Sequence, residues 1–493
     1  MLPRAVIAVL LVGLLLAPPV PAAGDYRVGI AVRSINPDRD GSFAGAPVYL
    51  GGYGIGSVRP ATGVLGKGLR VRAISISDGR GGDLAIADIE SQGWFTANKD
   101  APLGLTDMRR AVAARSGGAL EPSEVVIQSN HSHSAPDGIG VWGGVPLAYR
   151  RLVFGRTVAA ILAAHRKARP GKLRYGTVEA PTLLTNQFDY DRANAEVDDE
   201  LRVLQALGPR GRPFATLLNF SAHTTVLGSD NTRASGDWVQ ATNPLLERTF
   251  GGRAMTMVGT LGRTQPADHR CPDRSLSGPA AHLCRIEDYG ARVVKQARLA
   301  VARARPLRGR ALVDARSYLV QDIGANPLIL GLNYAGAPFG ADVTRSLSAP
   351  WLTVNVVGTV TSSARIGDLL LSAVPGEAYP QIAAVLANLV PARGHMTAGL
   401  AGDQLGYLIA PYEAYPEPIR RSFFNQRGDE VSPLDNDNYF FNVSPTIGER
   451  VLCSLLRGAG DLLAREQTYR DRRARCQGFA NDLGMPSGAD ARD

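Results

Sequence analysis

The feature that most constrains the fold of this chain is the alternation of two kinds of segment. Short apolar runs rich in β-branched residues recur along the sequence, and stretches of Ala, Leu and Arg with a helical period lie between them. This alternation is typical of α/β domains, in which helices pack against a largely buried sheet. We therefore predict an α/β fold with a mixed β-sheet core flanked by helices.

The apolar runs and the periodic stretches predict individual strands and helices. The predicted strands are Asp83–Ile89, Glu124–Gln128, Phe214–Phe220, Ala254–Val258, Asp368–Val374 and Met396–Leu400. The predicted helices are Leu105–Ala114, Tyr149–Ala168, Val239–Phe250, Ile286–Arg305, Tyr379–Leu389 and Ile447–Arg470. No internal repeat is evident in the sequence, and a weak domain boundary is predicted around Ala304–Arg310.

Two glycine-rich stretches lie near the start of the chain, Leu50–Gly56 and Gly63–Gly68. A phosphate-binding cradle needs such a stretch to follow a strand and to open a helix, because the helix N-terminus holds the phosphate. Neither stretch opens a helix after a strand. We therefore interpret both as backbone turns in loops.

Composition and charge exclude several classes of protein. The 493 residues are 45% apolar and 20% charged, which is enough for a large globular core, in one domain or in a few smaller ones. Lys and Arg exceed Asp and Glu by 54 to 45, and the arginines are scattered without an aromatic-interleaved basic stripe. This pattern favours a solvated basic surface over a nucleic-acid groove, and an anionic membrane or wall surface is a compatible neighbour.

The N-terminus has the parts of a secretory signal. Arg4 precedes an apolar stretch from Ala5 to Ala17, and prolines and small residues ending at Ala23 follow it. The apolar stretch is too short to span a bilayer, and no later segment of the sequence is long and apolar enough to do so. We predict a signal peptide over residues 1–23 and a secreted or extracytoplasmic protein. The alternative is an uncleaved N-terminal anchor.

The four cysteines predict two disulfide bonds, since an even number in an exported chain is typical of bridged pairs. Pairing between sequence neighbours joins Cys271 to Cys284 and Cys453 to Cys476. The first bridge would contribute about 3 kcal/mol of stability through chain entropy. The alternative for the first pair is a metal knuckle with His269 and His282 as further ligands, but the spacing matches no standard zinc pattern.

Two histidines lie one residue apart directly after an apolar run. The stretch QSNHSHSAPDG, residues 128–138, contributes His131 and His133, two of only seven histidines. Residues two apart in an extended segment face the same way, so both rings are expected to address one point. His223 follows another apolar strand in PFATLLNFSAHTT, and Glu377 follows a third in LLLSAVPGEAYP.

These strand ends predict a metal site. The carboxyl ends of strands form the rim at which open α/β sheets assemble their sites. Two imidazoles and a carboxylate are the ligand set of a hydrolytic zinc ion, which keeps a further position for water. A histidine after a strand is also found as a hydrogen-bonded core residue, and this alternative stays open on the pattern alone.

Seven stretches of the chain resemble, in order, the motifs of one enzyme family. They are GLRVRAISISDGRGGDLAIADIES, EVVIQSNHSHSAPDG, VDDELRVLQAL, NFSAHTT, ASGDW, VPGEAY and GYLIAPYEAY. The family is that of the neutral/alkaline (non-lysosomal) ceramidases, and the resemblance is to their catalytic domain. It extends over most of the chain from Tyr26 to Tyr415, and the His-x-His-Ser-x-Pro element is its most specific part.

The resemblance implies a complete set of site residues. The positions that match the family's zinc ligands are His131, His223, Glu377 and Tyr407, of which Tyr407 follows from the resemblance alone. The second histidine of the pair, His133, is not a ligand in the family and faces the reacting carbonyl. The implied cofactor is therefore zinc, and the implied catalytic residues are His131 and His133.

Three further side chains are assigned roles around the predicted zinc. With a pKa near its ordinary value, His133 would hold the oxyanion or return a proton to the leaving amine. Asp88 in IADIES and Asp237 in ASGDW are expected to orient the histidines as hydrogen-bond acceptors. The alternative for both carboxylates is a helix or turn cap.

The chain departs from the family where residues face the substrate. Arg263 and Gln265 stand at the Asp and Ser of the family's G-D-x-S-P element, Gln187 stands at an Arg, and Ile419 falls near a second active-site Tyr. Gln187 and Gln265 are therefore the predicted substrate-binding residues. The family's C-terminal immunoglobulin-like domain has no counterpart before Asp493, so residues 24–493 are expected to form one hydrolase domain.

The predicted function is that of a secreted zinc-dependent amidohydrolase. It would cleave the N-acyl amide bond of ceramide or a related N-acyl lipid, in contact with a lipid-like substrate at a membrane surface and without nucleic acid. The first alternative is zinc-dependent hydrolysis of another amide or ester. The second is a secreted binding protein that keeps the fold without turnover.

Overall fold

The computed structural model describes residues 26–54, 57–98, 101–187, 197–324, 326, 344–349, 352–409, 441–444 and 446–463. The predicted signal peptide, Ile419 and Cys476 lie outside these described residues. The described helices are α1 (Leu105–Ser116), α2 (Leu147–Arg166), α3 (Asp237–Phe250), α4 (Gly278–Arg303), α5 (Pro380–Leu389) and α6 (Ile447–Leu463).

The strands fall into two groups along the chain. Those of the first group are β1 (Tyr26–Ser34), β2 (Ser42–Phe43), β3 (Ala46–Pro47), β4 (Arg70–Ser77), β5 (Asp83–Ile89), β6 (Val125–Ser129), β7 (Arg169–Glu179), β8 (Leu184–Asn186), β9 (Glu200–Leu207), β10 (Pro213–Phe220), β11 (Arg253–Val258), β12 (Thr264–Pro266) and β13 (Arg305–Pro306). Those of the second group are β14 (Val313–Ile323), β15 (Thr344–Ala349), β16 (Leu352–Ile366), β17 (Leu369–Ala373), β18 (Glu377–Ala378), β19 (Gly394–Ala398) and β20 (Tyr407–Leu408).

One topological unit occurs three times along the chain. In each unit, three successive antiparallel strands are followed by a helix, a fourth strand parallel to the third, and a second helix. The units are β1-β4-β5-α1-β6-α2, β7-β9-β10-α3-β11-α4 and β14-β16-β17-α5-β19-α6. The sequence gives no sign of this repetition, because strand pairing defines the unit and residue identity does not.

The first two units share one sheet because their first strands, β1 and β7, pair antiparallel. Among the described residues this sheet has nine strands in the order β11-β10-β9-β7-β1-β4-β5-β6, with β13 on β7. The third unit forms a separate sheet of five strands in the order β14-β16-β17-β19, with β15 on β16. The boundary predicted around 304–310 is the point at which the chain passes from the first sheet to the second.

The two sheets pack face to face, and helices cover their outer faces. Val28 and Ile86 of the larger sheet share a buried core with Ile366 and Leu371 of the smaller one. Helices α1 and α2 cover one half of the larger sheet, and α3 and α4 cover the other half. Helices α5 and α6 cover the smaller sheet. The layers are therefore α/β/β/α, which confirms the predicted α/β class, and the shared core joins the sheets on either side of the 304–310 boundary.

The predicted strands and helices are confirmed, with ends that differ by a few residues, except that residues 464–470 of the predicted helix Ile447–Arg470 lie outside the described residues. The largest difference is at α4, which begins at Gly278, eight residues before the predicted start, with Pro279 in its first turn. Pro at this position is favourable because the first helical N–H groups have no partner within the helix. In the described part of the chain, the helices are too short or too polar to span a bilayer.

Candidate metal centre

The fourth strands of the three units meet at their carboxyl ends. The Gly399 amide, just after β19, donates to the Val258 carbonyl at the end of β11, at 3.0 Å. The Leu400 carbonyl accepts from the Ser129 amide at the end of β6, at 3.2 Å. A Cβ on Gly399 would lie 2.3 Å from the Gly259 carbonyl oxygen, so only glycine permits this approach. The three strand ends therefore form one rigid rim.

His131 and His133 lie on a turn after β6 and not on an extended segment. His131 has φ 61°, in the left-handed region, so the extended geometry that we predicted for this pair is wrong. The neighbouring Asn130 and Ser132 side chains fix the turn by donating to the carbonyls of Gly236 and Ser235. Such a backbone conformation costs about 1 kcal/mol or more for a non-glycine residue and is found disproportionately at functional sites.

His223 lies just after β10, and its backbone and ring are both held. Its amide donates to the Thr264 carbonyl at 3.1 Å, and its carbonyl accepts from the Trp238 indole N–H at 3.1 Å. Its Nδ1 lies 3.3 Å from the Leu261 carbonyl oxygen. The His131 Nδ1 lies 2.8 Å from the Gln92 carbonyl oxygen in the same way. Because a carbonyl only accepts, both rings carry the proton on Nδ1 and present Nε2 to the site.

Glu377 and Tyr407 face each other as partners in the short parallel pair β18–β20. The Tyr407 hydroxyl donates a hydrogen bond to the Glu377 carboxylate, and the Gln404 Nε2 donates to Glu377 Oε1 at 3.4 Å. The structure thus brings Tyr407, which the resemblance alone had implied, next to the carboxylate at the third strand end.

Four ligand-type atoms converge on one point, and we call their residues His131, His133, His223 and Glu377 the strand-end cluster. The His131 Nε2 lies 3.2 Å from Glu377 Oε2 and 3.3 Å from His133 Nε2. The His223 Nε2 lies 3.0 Å from His133 Nε2 and 4.0 Å from Glu377 Oε2. His131 and His223 are almost fully buried. A zinc ion with bonds of 2.0–2.1 Å separates its tetrahedral ligands by about 3.3 Å, so the spacing fits.

The proton positions in the cluster also fit a metal ion. The Nδ1 atoms of His131 and His223 face backbone carbonyls, so their Nε2 atoms are left facing Glu377 Oε2. A single proton can relieve only one of these contacts, whereas a cation bound by Nε2 and Oε2 atoms satisfies all of them. The donor set of imidazole and carboxylate is one that zinc prefers.

The pKa shifts of His223 and Glu377 have the directions that metal ligation requires. Burial, reinforced by the neighbouring His131 and opposed by Glu377, lowers the pKa of His223 to about 4. Burial would raise the pKa of Glu377, but the attraction of His131 and the hydrogen bonds to the carboxylate outweigh it and lower that pKa. At neutral pH His223 is therefore unprotonated and Glu377 is ionised, as metal ligation requires.

His133 differs from the other two histidines although its Nε2 is equally close. Among the described residues, no group accepts a hydrogen bond from its Nδ1, so nothing fixes its tautomer. Burial, followed by repulsion from His223 and His131, lowers the pKa of His133 well below its ordinary value. The expectation of an ordinary pKa for His133 is therefore wrong, and the ring is neutral at physiological pH.

Asp88 and Asp237 do not contact the histidines. Asp88 accepts a hydrogen bond from the Gln128 side chain within the sheet. Asp237 accepts from the amides of Val226 and Leu227, so it caps the turn after His223, and it also accepts from the amide of its neighbour Trp238. Our prediction that these carboxylates orient the imidazoles is wrong, and the alternative of a cap is confirmed for Asp237. Backbone carbonyls orient the rings, and no sequence pattern reveals such partners.

The two predicted substrate-binding residues lie side by side. Gln187 follows β8 and Gln265 lies on β12, and these strands pair antiparallel. The Gln265 Nε2 lies 3.5 Å from Gln187 Oε1, and its Oε1 accepts from the Thr225 hydroxyl at 2.6 Å. Gln265 also neighbours Thr264, whose carbonyl holds the His223 amide. The structure therefore places Gln265 one residue away from a tie to the strand-end cluster, with Gln187 beside it.

The disulfide predicted between Cys271 and Cys284 is present, with an S–S distance of 2.03 Å. The nearby histidines point to other partners: His269 Nδ1 contacts the Pro266 carbonyl, and His282 pairs with Asp230 at 3.0 Å. The metal-knuckle alternative is thereby excluded. Cys453 is also disulfide-bonded, and its predicted partner Cys476 lies outside the described residues.

The sequence interpretation missed the segment that covers His133. Tyr53 of the first glycine-rich stretch packs its ring against the His133 ring, with centroids 4.9 Å apart. Arg59 donates to the backbone carbonyl of His133 at 2.5 Å. The glycines of LGGYG were the available signal, since glycine in a loop marks either a turn or a close approach of the backbone.

Comparison with known proteins finds similar solved structures and no match by sequence. No protein-family model matches the sequence, and no curated protein matches it significantly. A solved structure described as a ceramidase complexed with C2 superposes with a TM-score of 0.68 at 17% identity, covering 90% of this chain and 76% of that one. The neutral ceramidase from Pseudomonas aeruginosa gives 0.62 at 17% identity, covering 87% and 75%. The chain therefore has the fold of these structures.

Proposed function

From a chain with the fold of neutral ceramidases, we propose a zinc-dependent amidohydrolase that cleaves the N-acyl amide bond of a lipid-like substrate. The observation that carries the proposal is the convergence of the His131, His133 and His223 ring nitrogens, which lie within 4.8 Å of one another, with Glu377 Oε2 beside them at the rim of the sheets. An exported location is part of the proposal and is supported by the signal-like N-terminus and the disulfide bonds.

His131, His223, Glu377 and Tyr407 would hold the zinc ion. When bound, zinc lowers the pKa of a water molecule toward neutrality and polarises the scissile carbonyl. The Gln92 and Leu261 carbonyls keep the two imidazoles in the correct tautomer and orientation for ligation. Tyr407 lies beside Glu377 and would complete the set, a role that rests on the resemblance.

His133 would move the proton. Its neutral ring, with no acceptor fixed on Nδ1, can take up a proton during attack and return it to the leaving amine nitrogen. Its partly exposed position, in contrast to the buried His131 and His223, leaves one side of the ring accessible to substrate. The Nε2 distances place His133 as close as a ligand, so metal content in a His133 variant is the test of this division of roles.

The substrate would combine an acyl chain with a neutral polar head. Phe95, Ile139 and Trp142 form an apolar cluster near the site, since Trp142 donates to the Gly54 carbonyl beside Tyr53. Gln187 and Gln265 offer uncharged amides where the family carries an Arg and a Ser. Loss of hydroxyl-recognising groups costs orders of magnitude in selectivity, so ceramide is expected to be a poorer substrate here than N-acyl amides with a different or smaller head.

Zinc content and turnover of the purified protein test the proposal together. We expect about one zinc per chain, hydrolysis of N-acyl amides, loss of the rate on chelation and recovery on adding zinc. The substrate panel comprises ceramide, N-acyl amino acids, N-acyl amines and simple esters, compared by kcat/KM.

Each other outcome has a definite meaning for the proposal. Preference for esters would favour a metal-dependent esterase. Zinc binding without turnover of any substrate would favour a binding protein of the same fold. A clear preference for ceramide would show that the changes at Gln187 and Gln265 are neutral.

A further inference from the structure

The 50–54 segment, Leu50 to Gly54, packs over His133. A Cβ on Gly52 would lie 2.3 Å from the His133 Cγ, and Gly52 also has φ 99°, which favours glycine. A Cβ on Gly51 would lie 2.6 Å from the Gln92 side chain. The backbone therefore touches the catalytic histidine directly, and the glycines exist to allow that approach.

Tyr53 of the 50–54 segment makes an aromatic contact with His133. Its ring meets the His133 ring edge to face, with centroids 4.9 Å apart and planes at 76°. Its hydroxyl donates to the Leu227 carbonyl at 2.5 Å, which anchors the far end of the ring. Edge-to-face packing of this kind is worth about 0.5–1.5 kcal/mol beyond the area buried, enough to favour one ring orientation over another.

Arg59 links the 50–54 segment to the turn that carries His133. Its Nη2 donates to the carbonyls of Gly51 and His133, both at 2.5 Å, and its Nη1 donates to the Asn231 carbonyl at 3.2 Å. Its guanidinium carbon lies 4.8 Å from the centroid of the Tyr53 ring. The Arg59 side chain thus links the 50–54 segment, the turn that carries His133 and the Tyr53 ring that contacts His133.

We propose that Tyr53, held by Arg59, is a positioning residue that sets the orientation of the His133 ring. His131 and His223 are each oriented by a backbone carbonyl at Nδ1, whereas no described group plays that part for His133. Packing against Tyr53 and Gly52 supplies the constraint instead. The catalytic consequence rests on the proposed function, because it assumes that His133 transfers the proton.

The first test compares Tyr53→Leu with Tyr53→Phe. The Leu variant loses the ring, and we expect kcat to fall about 10- to 100-fold because a misplaced catalytic group costs that much. KM and zinc content are expected to stay unchanged. The Phe variant keeps the ring and should restore kcat close to the wild-type value. Unchanged kcat in Tyr53→Leu, or equal loss in both variants, would overturn the proposal.

The second test uses Gly52→Ala with Gly45→Ala as its matched control. Both glycines have positive φ, 99° and 78°, but a Cβ on Gly45 meets nothing within 4 Å. Both variants therefore carry similar backbone strain, and only Gly52→Ala pushes on the His133 ring. We expect kcat to fall in Gly52→Ala alone. Equal effects in the two variants would assign the loss to strain and overturn the proposal.

Crystal structures separate this proposal from the proposed function. The His133 ring should hold one orientation in wild-type protein and Tyr53→Phe, and leave it in Tyr53→Leu, whether or not any substrate is turned over. An unmoved ring in Tyr53→Leu overturns the positioning role. A moved ring in a protein without amidase activity contradicts the proposed function instead.

Discussion

Among the described residues, the strand-end cluster and the loop closed by Cys271 and Cys284 both hold histidines beside other ligand-type side chains, and they differ in where the ligand atoms point. In the strand-end cluster, the Nε2 atoms and Glu377 Oε2 lie 3.0–4.0 Å from their neighbours. In the disulfide loop, residues 267–284, the His269 ring turns to a backbone carbonyl and the His282 ring turns to Asp230. Both sulfurs of the loop are joined to each other.

Convergence of the ligand atoms, and not residue composition, makes the strand-end cluster a candidate metal site. In the strand-end cluster, His131 follows β6, whose end is locked to those of β11 and β19 through Gly399 and Leu400, and His223 and Glu377 follow β10 and β17, which pair directly with β11 and β19. The disulfide loop is a surface connection into α4, and its histidines have separate polar partners. A site held within a fraction of an ångström needs rigid elements beneath it.

We expect the largest difference between the two regions when one histidine is removed from each. His131→Ala should lose zinc and activity. Loss of a residue that only hydrogen-bonds to a metal ligand lowers metal affinity about 10- to 100-fold, and we expect loss of the ligand itself to lower it by more. The control His282→Ala should keep both, because its ring binds Asp230. Metal content and kcat/KM of the two proteins are compared. Full zinc in His131→Ala would sink the ligand assignment.

His133→Ala tests whether His133 binds the metal or transfers a proton within the strand-end cluster. We expect zinc to stay bound and kcat to fall by about 10²- to 10⁴-fold, the range for loss of a general acid or base. His269→Ala, in the disulfide loop, is the control and should match wild type. If His133→Ala loses its metal, His133 is a ligand and the roles within the pair are inverted.

The disulfide loop should affect stability and leave the metal alone. Replacing Cys271 and Cys284 together by Ser should lower the free energy of unfolding by about 3 kcal/mol, because the bridge restricts the unfolded chain. Zinc content should be unchanged. Denaturant unfolding with metal analysis measures both.

Peptide mapping without reduction should also join Cys453 to Cys476, and free thiols there would contradict the pairing.

The smallest expected effect concerns the pair of His282 and Asp230. Asp230 is more than half exposed, so solvent screens the interaction. We expect Asp230→Asn to change the free energy of unfolding by less than about 1 kcal/mol and to leave kcat unchanged. A change in kcat of tenfold or more would show that the disulfide loop is coupled to the site, against the separation of the two regions.

Much of this architecture could be predicted from the sequence because its cues are local. The third strands β5, β10 and β17 and the fourth strand β6 are largely apolar runs, and polar residues directly after β6, β10 and β17 mark the rim. His223 and Glu377 were identified in this way. The first and second strands of each unit, such as β4 and β9, were not, since their place depends on pairing across the chain.

The parts that the sequence did not predict are long-range contacts. The turn at His131, with its positive φ, depends on Gly236 and Ser235, which lie about a hundred residues away. The carbonyls that orient the rings belong to Gln92 and Leu261, and any residue type supplies a carbonyl. Tyr53 meets His133 only after the chain has folded, so its role had no local signature.

Anomalous diffraction at the zinc edge, on crystals of the wild-type protein, tests the central claim most directly, because it locates the metal without assuming any activity. The account predicts one strong peak bounded by His131 Nε2, His223 Nε2 and Glu377 Oε2, and none in the disulfide loop. Crystals grown with zinc that show no peak at the strand-end cluster, or show one beside His269 or His282 instead, would contradict it.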